Sequence, residues 1–501
     1  MTTISKTDDQ NFFLKRSTIY LILSHFIIVL IFAFTRLVDS DEGFYLIAAQ
    51  EVWNGRTLYI DFFFPQMPYL PYFFSPISGY GFTTLFIARF IGAVFSLFTI
   101  ILFTRIVCKI TINNSVRTAL LFLYAFNALI ITWHPLAKTY MFTDFLLMFS
   151  FLSFIYFLKI KQIRMVVATA ISIALAVNFR SVFAPLIILY AVVIYLNSSE
   201  SKLKNITIYF LSIVVVSIPT LYLFYLSPDH FLYDNIGFHL MRNDWVGFNE
   251  GMIDKIKTFG KLLITLQIFI IMIIVIIFSR QAMKNKNNIY IGWYQSPIRV
   301  SGIIAIIITI IYLLPIPILQ QYFLQPIPFV LIASAGGLEY FFSRSKMKIL
   351  NRELARKSIV RILAVVYIIG IIPYIIIFIF SVREQDGSNS IINVHRMCSY
   401  IKKESTNKII LSEWPAVPLL AEVSNLNGLE FLGFEFPLPL TQEESRKYHL
   451  ALDNDIRNNI LRQKPDFIVV KYEPAIPLRP VISEFYHPDT SFGSFNLFRK
   501  K

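Results

Sequence analysis

Charged residues are scarce in this sequence. Asp, Glu, Lys and Arg make up 15% of the 501 residues, whereas 56% are hydrophobic and the mean hydropathy is +0.61. A soluble domain needs about a quarter of its residues charged to cover its surface. The shortage therefore excludes a chain made only of soluble domains. The 49 Phe and 26 Tyr residues add more apolar bulk than one aqueous core holds, which indicates a polytopic membrane protein.

Cysteine and glycine-rich segments are also scarce. The only cysteines are Cys108, at a predicted cytoplasmic helix end, and Cys398, in the C-terminal tail. The predicted topology keeps these two apart, which excludes a disulfide framework, and two cysteines cannot form a Cys-based metal site. The sequence contains no G-x-G-x-x-G segment for a nucleotide.

Long apolar runs predict about eleven transmembrane helices. The first, Ser17 to Thr35, is uncharged over 19 residues. No small-residue cleavage site follows it, so we interpret it as an uncleaved anchor rather than a signal peptide. Arg180 and a Pro-rich stretch interrupt the runs at 165–196 and 300–342. The further predicted spans lie near 86–104, 118–133, 141–158, 165–179, 182–196, 205–226, 262–279, 300–316, 320–342 and 362–382.

The net charge of +15 first suggests a polyanion partner, but its distribution indicates topology instead. The tail 383–501 has 15 basic and 15 acidic residues, so the excess lies entirely in residues 1–382. With a cytoplasmic N-terminus, 22 of the 31 basic residues before residue 383 fall in cytoplasmic segments. This asymmetry follows the positive-inside rule and argues against a nucleic-acid surface. Eleven spans then place the tail outside the cytoplasmic membrane.

The first outer loop, about residues 36–85, begins with three acids, Asp39, Asp41 and Glu42. A helix is predicted after them, ending at Asn54-Gly55. One interpretation is a solvated helix N-terminus, where acids complement the helix dipole. The other is a carboxylate held at the membrane surface to deprotonate a hydroxyl or hold a metal.

A Pro-rich segment follows Asp61 in the same loop. No charge occurs between Asp61 and Arg89, yet four prolines forbid a regular spanning helix. Irregular backbone cannot face lipid at depth, so we expect this segment at the interface or against other helices, as the floor of an outer cavity. The prolines are Pro65, Pro68, Pro71 and Pro76.

The loop contains the motifs Asp41-Glu42-Gly43-Phe44-Tyr45, Asn54-Gly55, Tyr59-Ile60-Asp61-Phe62 and Pro65-Gln66-Met67-Pro68. This pattern resembles the first-loop signature of GT-C glycosyltransferases, and more narrowly of protein O-mannosyltransferases and bacterial aminoarabinose transferases. The resemblance implies a multi-pass enzyme that takes a sugar from a polyprenyl-phosphate carrier on the outer face. It also implies that Asp41 is the essential first-loop acid, which acts as base or orients the acceptor. Close relatives carry a Glu before the prolines where this chain has Phe64, so a divalent cation there would depend on Asp61.

The junction Trp133-His134-Pro135-Leu136-Ala137-Lys138 precedes an apolar helix that contains Asp144. By alternation this junction lies on the outer face. A carboxylate within a span is costly and marks either a functional site or a partnered charge. We therefore expect Asp144 to contribute to substrate binding, as the second acid that the family resemblance implies, or to pair structurally with His134 or Lys138.

Two further positions are candidates for binding the carrier. Arg180 offers a planar fork of donors suited to phosphate, or else it anchors a helix end by snorkelling. Gln321 and Tyr322 open the tenth predicted span and resemble a family segment that faces the carrier, with Gln321 in place of the common basic residue.

The fourth outer loop mixes histidine and acid, but the spacing matches no standard zinc pattern, so we expect a solvated loop near the active site. Its polar residues are Asp229, His230, Asp234, His239, Arg242 and Asp244, with Trp245 beside them.

The tail 383–501 reads as a small extracytoplasmic α/β domain. We predict strands at 408–412 and 465–470. A capping box at Thr441 predicts one helix running to about Arg462. Nothing in the tail forms a phosphate loop, a nucleophile elbow or a metal cluster.

The sequence thus predicts an inverting glycosyltransferase in which Asp41 is the base, with Glu42 and Asp61 as further catalytic candidates. Substrate binding is predicted for Asp39, His134, Lys138, Asp144, Arg180, Gln321 and Tyr322. The acceptor is a lipid, glycan or protein, and a divalent cation is possible. The alternative from another class is a transporter or lipid flippase, which would show broken helices and an internal repeat. A non-catalytic assembly subunit is a third hypothesis.

Overall fold

The computed structural model describes most of the chain, and every structural statement below concerns these residues. They are 11–198, 201–245, 251–253, 255–258, 260, 267–268, 270–271, 292–314, 318–343, 350–379, 390–430, 440–450, 453–471, 474 and 478–501.

Among the described residues up to 379, the long elements are helices. The first eight helices are α1 Arg16–Thr35, α2 Ser40–Trp53, α3 Tyr69–Phe74, α4 Phe82–Ile110, α5 Asn114–Ala125, α6 Ala128–Trp133, α7 Tyr140–Ile160 and α8 Ile163–Phe179. The next eight are α9 Ala184–Asn197, α10 Lys202–Leu226, α11 Pro228–Leu232, α12 Phe238–Trp245, α13 Pro297–Leu313, α14 Ile327–Ser343, α15 Leu350–Ile369 and α16 Ile372–Phe378.

Five helical stretches of the described part are long and apolar enough to cross a membrane: α1, α4, α7, α10 and Val360–Phe378 across α15 and α16. This confirms an α-helical membrane protein. The number of about eleven spans stays a prediction. The predicted span 262–279 and the end of the span 362–382 lie largely outside the described residues.

One predicted span is two helices. The run 118–133 is broken between α5 and α6, because Asn127 leaves the helical conformation and its side chain caps α6 by accepting from the Ile130 amide at 3.2 Å. The amide group of Asn127 also donates to the hydroxyl of Tyr367 on α15. An asparagine side chain competes well with the backbone in this way, so it starts a new helix.

The first outer loop is built as its composition predicts. Helix α2 ends at Trp53, and Gly55 has a φ of 87°, a conformation that glycine adopts without strain. The Pro-rich segment contains the short helix α3 and a 3-10 turn, Ser75–Ile77, and it packs against other elements instead of spanning. Phe64 is fully buried, and its ring stacks on Phe44 of α2 at 5.1 Å between centroids.

The fourth outer loop is held against this Pro-rich segment. Asp234 accepts from the Phe64 amide at 2.8 Å, and His239 Nε2 lies 2.9 Å from the Pro65 carbonyl oxygen. Asp234 is 1% exposed, and burial raises its pKa well above the ordinary value. The expectation of a solvated loop is therefore wrong at Asp234. The side chains of Arg242, Asp244 and Trp245 lie outside the described part.

The C-terminal region contains a five-stranded sheet. Its helices are α17 Ile391–Glu404, α18 Ala416–Ala421, α19 Gln442–Lys447, α20 Asp453–Gln463 and α21 Arg479–Phe485. Its strands are β1 Ile409–Ser412, β2 Ser424–Asn425, β3 Phe467–Lys471, β4 Tyr486–Phe492 and β5 Phe495–Lys500, in the order β2-β1-β3-β5-β4. Strand β1 is parallel to β2 and β3, and β5 is antiparallel to β3 and β4.

Both predicted strands are confirmed as β1 and β3. The capping box at Thr441 is confirmed too, since its hydroxyl accepts from the Glu444 amide at 3.2 Å. The single helix to about Arg462 is wrong, because the chain leaves the helix after Lys447 and His449 has a φ of 56°. The predicted domain boundary at 383 lies outside the described residues.

The C-terminal region packs closely against α2. A Cβ added at Gly43 would lie 2.7 Å from the Ala416 Cβ and 3.0 Å from Trp414 Nε1. A second contact is the ion pair between Arg56 and Glu430, at 2.5 Å. The helix that carries the loop acids is therefore in direct contact with the sheet region.

We predict that Gly43→Ala destabilises the protein by about 1–3 kcal/mol, because the added methyl overpacks the contact with Ala416. Thermal unfolding of the purified protein in detergent measures this. The matched control is Gly79→Ala, since no atom lies within 4 Å of a Cβ at Gly79. Equal midpoints for the two variants would show that α2 and the C-terminal region are not closely packed.

Candidate functional site

The three loop acids lie at the N-terminus of α2 because they form its cap. Asp39 Oδ1 accepts from the Asp41 amide at 3.0 Å, and Glu42 Oε2 accepts from the Asp39 amide at 3.0 Å, which together make a capping box. The cap turns the side chains in different directions. The Asp41 side chain is 40% exposed, whereas that of Glu42 is 0% exposed.

Glu42 is enclosed by hydrogen-bond donors. Arg89 of α4 donates from Nε to Oε1 at 2.8 Å and from Nη2 to Oε2 at 2.6 Å. The Ala137 amide donates to Oε1 at 3.0 Å. Arg89 also donates to the Arg36 carbonyl at 2.8 Å and the Leu37 carbonyl at 3.1 Å. This pair joins the end of α1, the start of α2, the helix α4 and the turn before α7.

Lys138 binds the other two acids. Its Nζ lies 2.6 Å from Asp39 Oδ1 and 2.8 Å from Asp41 Oδ2, and it is 2% exposed. Burial lowers the pKa of Lys138, but the two carboxylates more than offset this and hold it above the ordinary value. Burial likewise raises the pKa of Asp39, and Lys138 and Arg36 hold it below the ordinary value. Two carboxylates share one ammonium, so Asp41 remains available to a substrate proton.

His134, and not Lys138, is the partner of Asp144. His134 Nε2 lies 2.9 Å from Asp144 Oδ2, and both side chains are buried. The other oxygen of Asp144, Oδ1, is buried and has no hydrogen-bond partner among the described residues, although the Gln325 amide lies nearby. The structural pair is confirmed, and one carboxylate oxygen remains available.

Arg180 stands at the end of α8 among tyrosine rings. Its guanidinium carbon lies 4.7 Å from the ring centroid of Tyr140, 5.3 Å from Tyr312 and 5.2 Å from Tyr322. Its guanidinium donates from Nη1 to the Thr139 hydroxyl, at 3.4 Å. It forms no ion pair with any carboxylate in the described part of the chain. A guanidinium held by cation–π contacts keeps its donor fork available for an anion. We call these four residues, Arg180, Tyr140, Tyr312 and Tyr322, the tyrosine cage.

The acid group and the tyrosine cage are adjacent. Lys138, Thr139 and Tyr140 are consecutive residues: the first binds Asp39 and Asp41, the second accepts from Arg180, and the third lies against it. Tyr45 of α2 is buried and interacts electrostatically with both sides of the site, and burial raises its pKa. One site therefore contains a carboxylate, an ammonium and a guanidinium.

Two of the predicted site residues, Asp61 and Gln321, do not contact the acids of the first loop or Arg180 among the described contacts. Asp61 lines a cavity of about 210 Å³ together with Arg56 and with two residues of the C-terminal region, Glu430 and His449. Its Oδ2 accepts from the Thr57 amide at 2.6 Å. Gln321 is buried in the turn that also places Tyr322 in the tyrosine cage.

Within the described ranges, no three His, Cys, Asp or Glu side chains gather as metal ligands. The residues present at the first loop do not fit a resident divalent cation.

Sequence reasoning missed several residues that build the site. Arg89 was visible as the first charge after a long neutral stretch, but its partner Glu42 is distant in sequence. Tyr140, Tyr312 and Gln325 lie within apolar runs, where aromatic and amide side chains read as core. Gln325 accepts from the Tyr312 hydroxyl and donates to the Thr143 hydroxyl.

Similar structures are known, although no family model and no curated protein sequence matches the chain. ArnT from Cupriavidus metallidurans bound to undecaprenyl phosphate is 12% identical with a TM-score of 0.61, over 96% of this chain and 97% of that chain. The archaeal oligosaccharyltransferase AglB from Archaeoglobus fulgidus, in complex with an inhibitory peptide and a dolichol-phosphate, is 12% identical with a TM-score of 0.50, over 97% of this chain and 75% of that chain. The likeness to ArnT spans nearly all of both chains, so it confirms the GT-C fold.

We predict that Glu42→Gln lowers the free energy of unfolding by about 3–5 kcal/mol, because it leaves the buried Arg89 charge without its counter-ion. Asp41→Asn should change stability little, since Asp41 is partly exposed. Thermal unfolding in detergent separates the two acids.

The double variant Glu42→Gln/Arg89→Met controls for a general loss of packing. It should recover part of the lost stability, because both charges are then removed. A Glu42→Gln variant as stable as the unmodified protein would contradict the buried pair.

Proposed function

We propose that this membrane protein is an inverting glycosyltransferase, which moves a sugar from a polyprenyl-phosphate carrier to an acceptor on the outer face. The fold supports the proposal, because ArnT was solved with undecaprenyl phosphate and AglB with a dolichol-phosphate. The observation that carries it is local: a partly exposed carboxylate, Asp41, shares one site with Arg180, a guanidinium that has no ion-pair partner in the described part of the chain. These are the two groups that such a transfer needs.

Asp41 is the general base of the proposed reaction. The acceptor hydroxyl or amine gives its proton to Asp41 as its lone pair attacks the sugar C1. The bond between C1 and the phosphate oxygen breaks, and its electrons leave with the polyprenyl phosphate. A single displacement of this kind inverts the configuration at C1. A carboxylate is a weak base, so positioning of the acceptor must supply much of the rate.

Lys138 and Glu42 position this base. Lys138 holds Asp41 by one oxygen, Oδ2, at 2.8 Å, and the Asp41 side chain stays 40% exposed. Glu42 touches no solvent and binds Arg89, so its role is to fix the start of α2. We therefore assign catalysis to Asp41 and positioning to Asp39, Glu42 and Lys138. Asp61, in its separate cavity, has no step in this mechanism.

Arg180 binds the carrier phosphate. When the phosphate leaves, it gains negative charge, and a preorganised guanidinium stabilises that charge through paired hydrogen bonds. The tyrosine cage holds Arg180 in place without neutralising it. The hydroxyl groups of Tyr140 and Tyr322 add further donors for phosphate oxygens, whereas that of Tyr312 donates to Gln325.

The distribution of basic residues supports the proposed orientation. With the N-terminus in the cytoplasm, the acids of the first loop and the C-terminal region face outward. The acceptor then approaches from the outer side, where the C-terminal region contacts α2. The donor, being lipid-linked, enters from the bilayer along the Pro-rich segment.

We predict that Asp41→Asn lowers transfer by about 100- to 10,000-fold, the usual contribution of a general base. Purified protein is incubated with radiolabelled polyprenyl-phosphate sugars and membrane extract, and labelled acceptor is counted. The matched control is Asp229→Asn, at an exposed acid of the fourth outer loop, which should keep full transfer.

Transfer that survives Asp41→Asn would exclude the proposed base. Movement of the carrier across liposomes without any transfer, in the unmodified protein, would instead favour a flippase.

We predict that Arg180→Gln weakens binding of undecaprenyl phosphate by about 10- to 100-fold, as expected for loss of hydrogen bonds to a charged group. Undecaprenol, which lacks the phosphate, should bind both proteins equally. The matched control is Arg164→Gln, at the exposed opposite end of the same helix. An equal loss of undecaprenol binding would show that Arg180 only supports the fold.

A further inference from the structure

Behind Asp144, a row of buried side chains crosses the bundle from α7 to α1. His134 Nε2 lies 2.9 Å from Asp144 Oδ2, and His134 Nδ1 lies 2.9 Å from Ser96 Oγ. Ser96 Oγ lies 2.9 Å from His25 Nε2, and His25 Nδ1 lies 2.9 Å from the Ala125 carbonyl oxygen. The four side chains are at most 1% exposed. We call His25, Ser96 and His134 the His–Ser–His row.

Counting protons determines the charge of this row. Each of its four contacts joins two atoms with lone pairs, so each needs one proton between them to be a hydrogen bond. Ser96 brings one proton, and two neutral imidazoles bring one each. The fourth contact requires one extra proton. The negative charge of Asp144 balances it, so the whole unit is neutral, which suits a site shielded from water.

The far end of the row fixes the direction of each bond. The Ala125 carbonyl can only accept, so His25 carries its proton on Nδ1. Neutral His25 then accepts on Nε2 from Ser96, and Ser96 accepts from His134 Nδ1–H. The extra proton lies between His134 Nε2 and Asp144 Oδ2, because attraction to the carboxylate keeps it there.

The row has a functional direction, because it ends at the carboxylate of Asp144. Asp144 Oδ1 is buried and without a hydrogen-bond partner among the described residues, next to Gln325 and within electrostatic reach of Arg180. The other ionisable side chains that interact with Asp144 are Tyr124 and Tyr312. Under the proposed function, a sugar whose C1 phosphate is bound by Arg180 would direct its ring hydroxyls toward this oxygen.

We propose that His25 and Ser96 are positioning residues that act through His134: they keep one proton on the Asp144 pair and direct Asp144 Oδ1 toward the hydroxyl groups of the lipid-linked sugar. The inference rests on the proposed function for its substrate, but the proton and its location follow from the row alone. Neither His25 nor Ser96 touches the reacting atoms.

The first arm of the test uses histidine nitrogen NMR on the full chain in micelles, without substrate. Signals are assigned with His25→Gln and His134→Gln. In the unmodified protein at neutral pH, His134 should carry a proton on Nδ1. In Ser96→Ala that proton loses its acceptor, so the Nδ1–H signal of His134 should shift. An unprotonated Nδ1 in the unmodified protein, or no change in Ser96→Ala, overturns the inference.

The second arm measures transfer with the donor that the unmodified protein uses. Ser96→Ala should lower kcat/KM by about 10- to 100-fold, the size seen when outer hydrogen-bond partners of a site are removed. Binding of sugar-free undecaprenyl phosphate should not change, because Arg180 is intact. Ser96→Thr, which keeps the hydroxyl, should restore most of the loss.

Ser172→Ala is the matched control, because Ser172 is also buried in a span but donates only to its own helix, at the Ala168 carbonyl. It should behave as the unmodified protein. If Ser96→Ala weakened the binding of sugar-free undecaprenyl phosphate as much as it lowered transfer, the His–Ser–His row would have only a structural role. The proposed positioning role would then be wrong. An unmodified protein that transfers no sugar would overturn the proposed function, while the NMR arm still decides the proton and the tautomer.

Discussion

The buried ion pair of Glu42 and Arg89 is the interaction on which the rest of the site depends. It holds the carbonyl end of α1, the capped start of α2 and the turn before α7 against the single helix α4. Neither charge reaches water, so each is tolerable only while the other is in place. Because this pair fixes the first turn of α2, the neighbouring Asp41 is held in a partly exposed position. The buried Glu42 thus keeps Asp41 accessible.

The turn between α6 and α7 distributes its residues among three tasks. His134 faces inward to Asp144, Lys138 faces the loop acids, and Tyr140 faces Arg180. A glycine contributes to this placement, because α4 approaches the turn at Gly92, where a Cβ would lie 2.8 Å from the His134 carbonyl oxygen. Asp41, Arg180 and Asp144 are therefore positioned by one short segment, which explains how they lie together although they belong to different helices.

Much of the fold and part of the candidate site could be predicted from local sequence. The remaining features depend on contacts between residues that are distant in sequence. The acids of the first loop, the helix stop at Asn54-Gly55 and the two buried strands follow from caps, turn residues and apolar runs. The catalytic reading of Glu42 could not be tested locally, because its partner Arg89 lies on another helix. The break at Asn127 was hidden in a run of apolar residues, although its side chain starts a new helix. The sequence also could not show which acid Lys138 binds, because Asp39, Asp41 and Asp144 were all possible partners. Tertiary structure decides between them.

The absence of a side chain at Gly43 has a mechanical consequence. With no flexible group between the α2 backbone and Ala416, a displacement of the C-terminal region is transmitted to the turn that carries Asp41, two residues away, with little loss. If the proposed acceptor docks on the C-terminal region, this contact connects its docking site to the turn of Asp41 without a moving lid. The same contact restricts the exchange of C-terminal regions between proteins. A transplanted region would need a residue as small as Ala416 opposite Gly43, or it would displace the turn that carries Asp41.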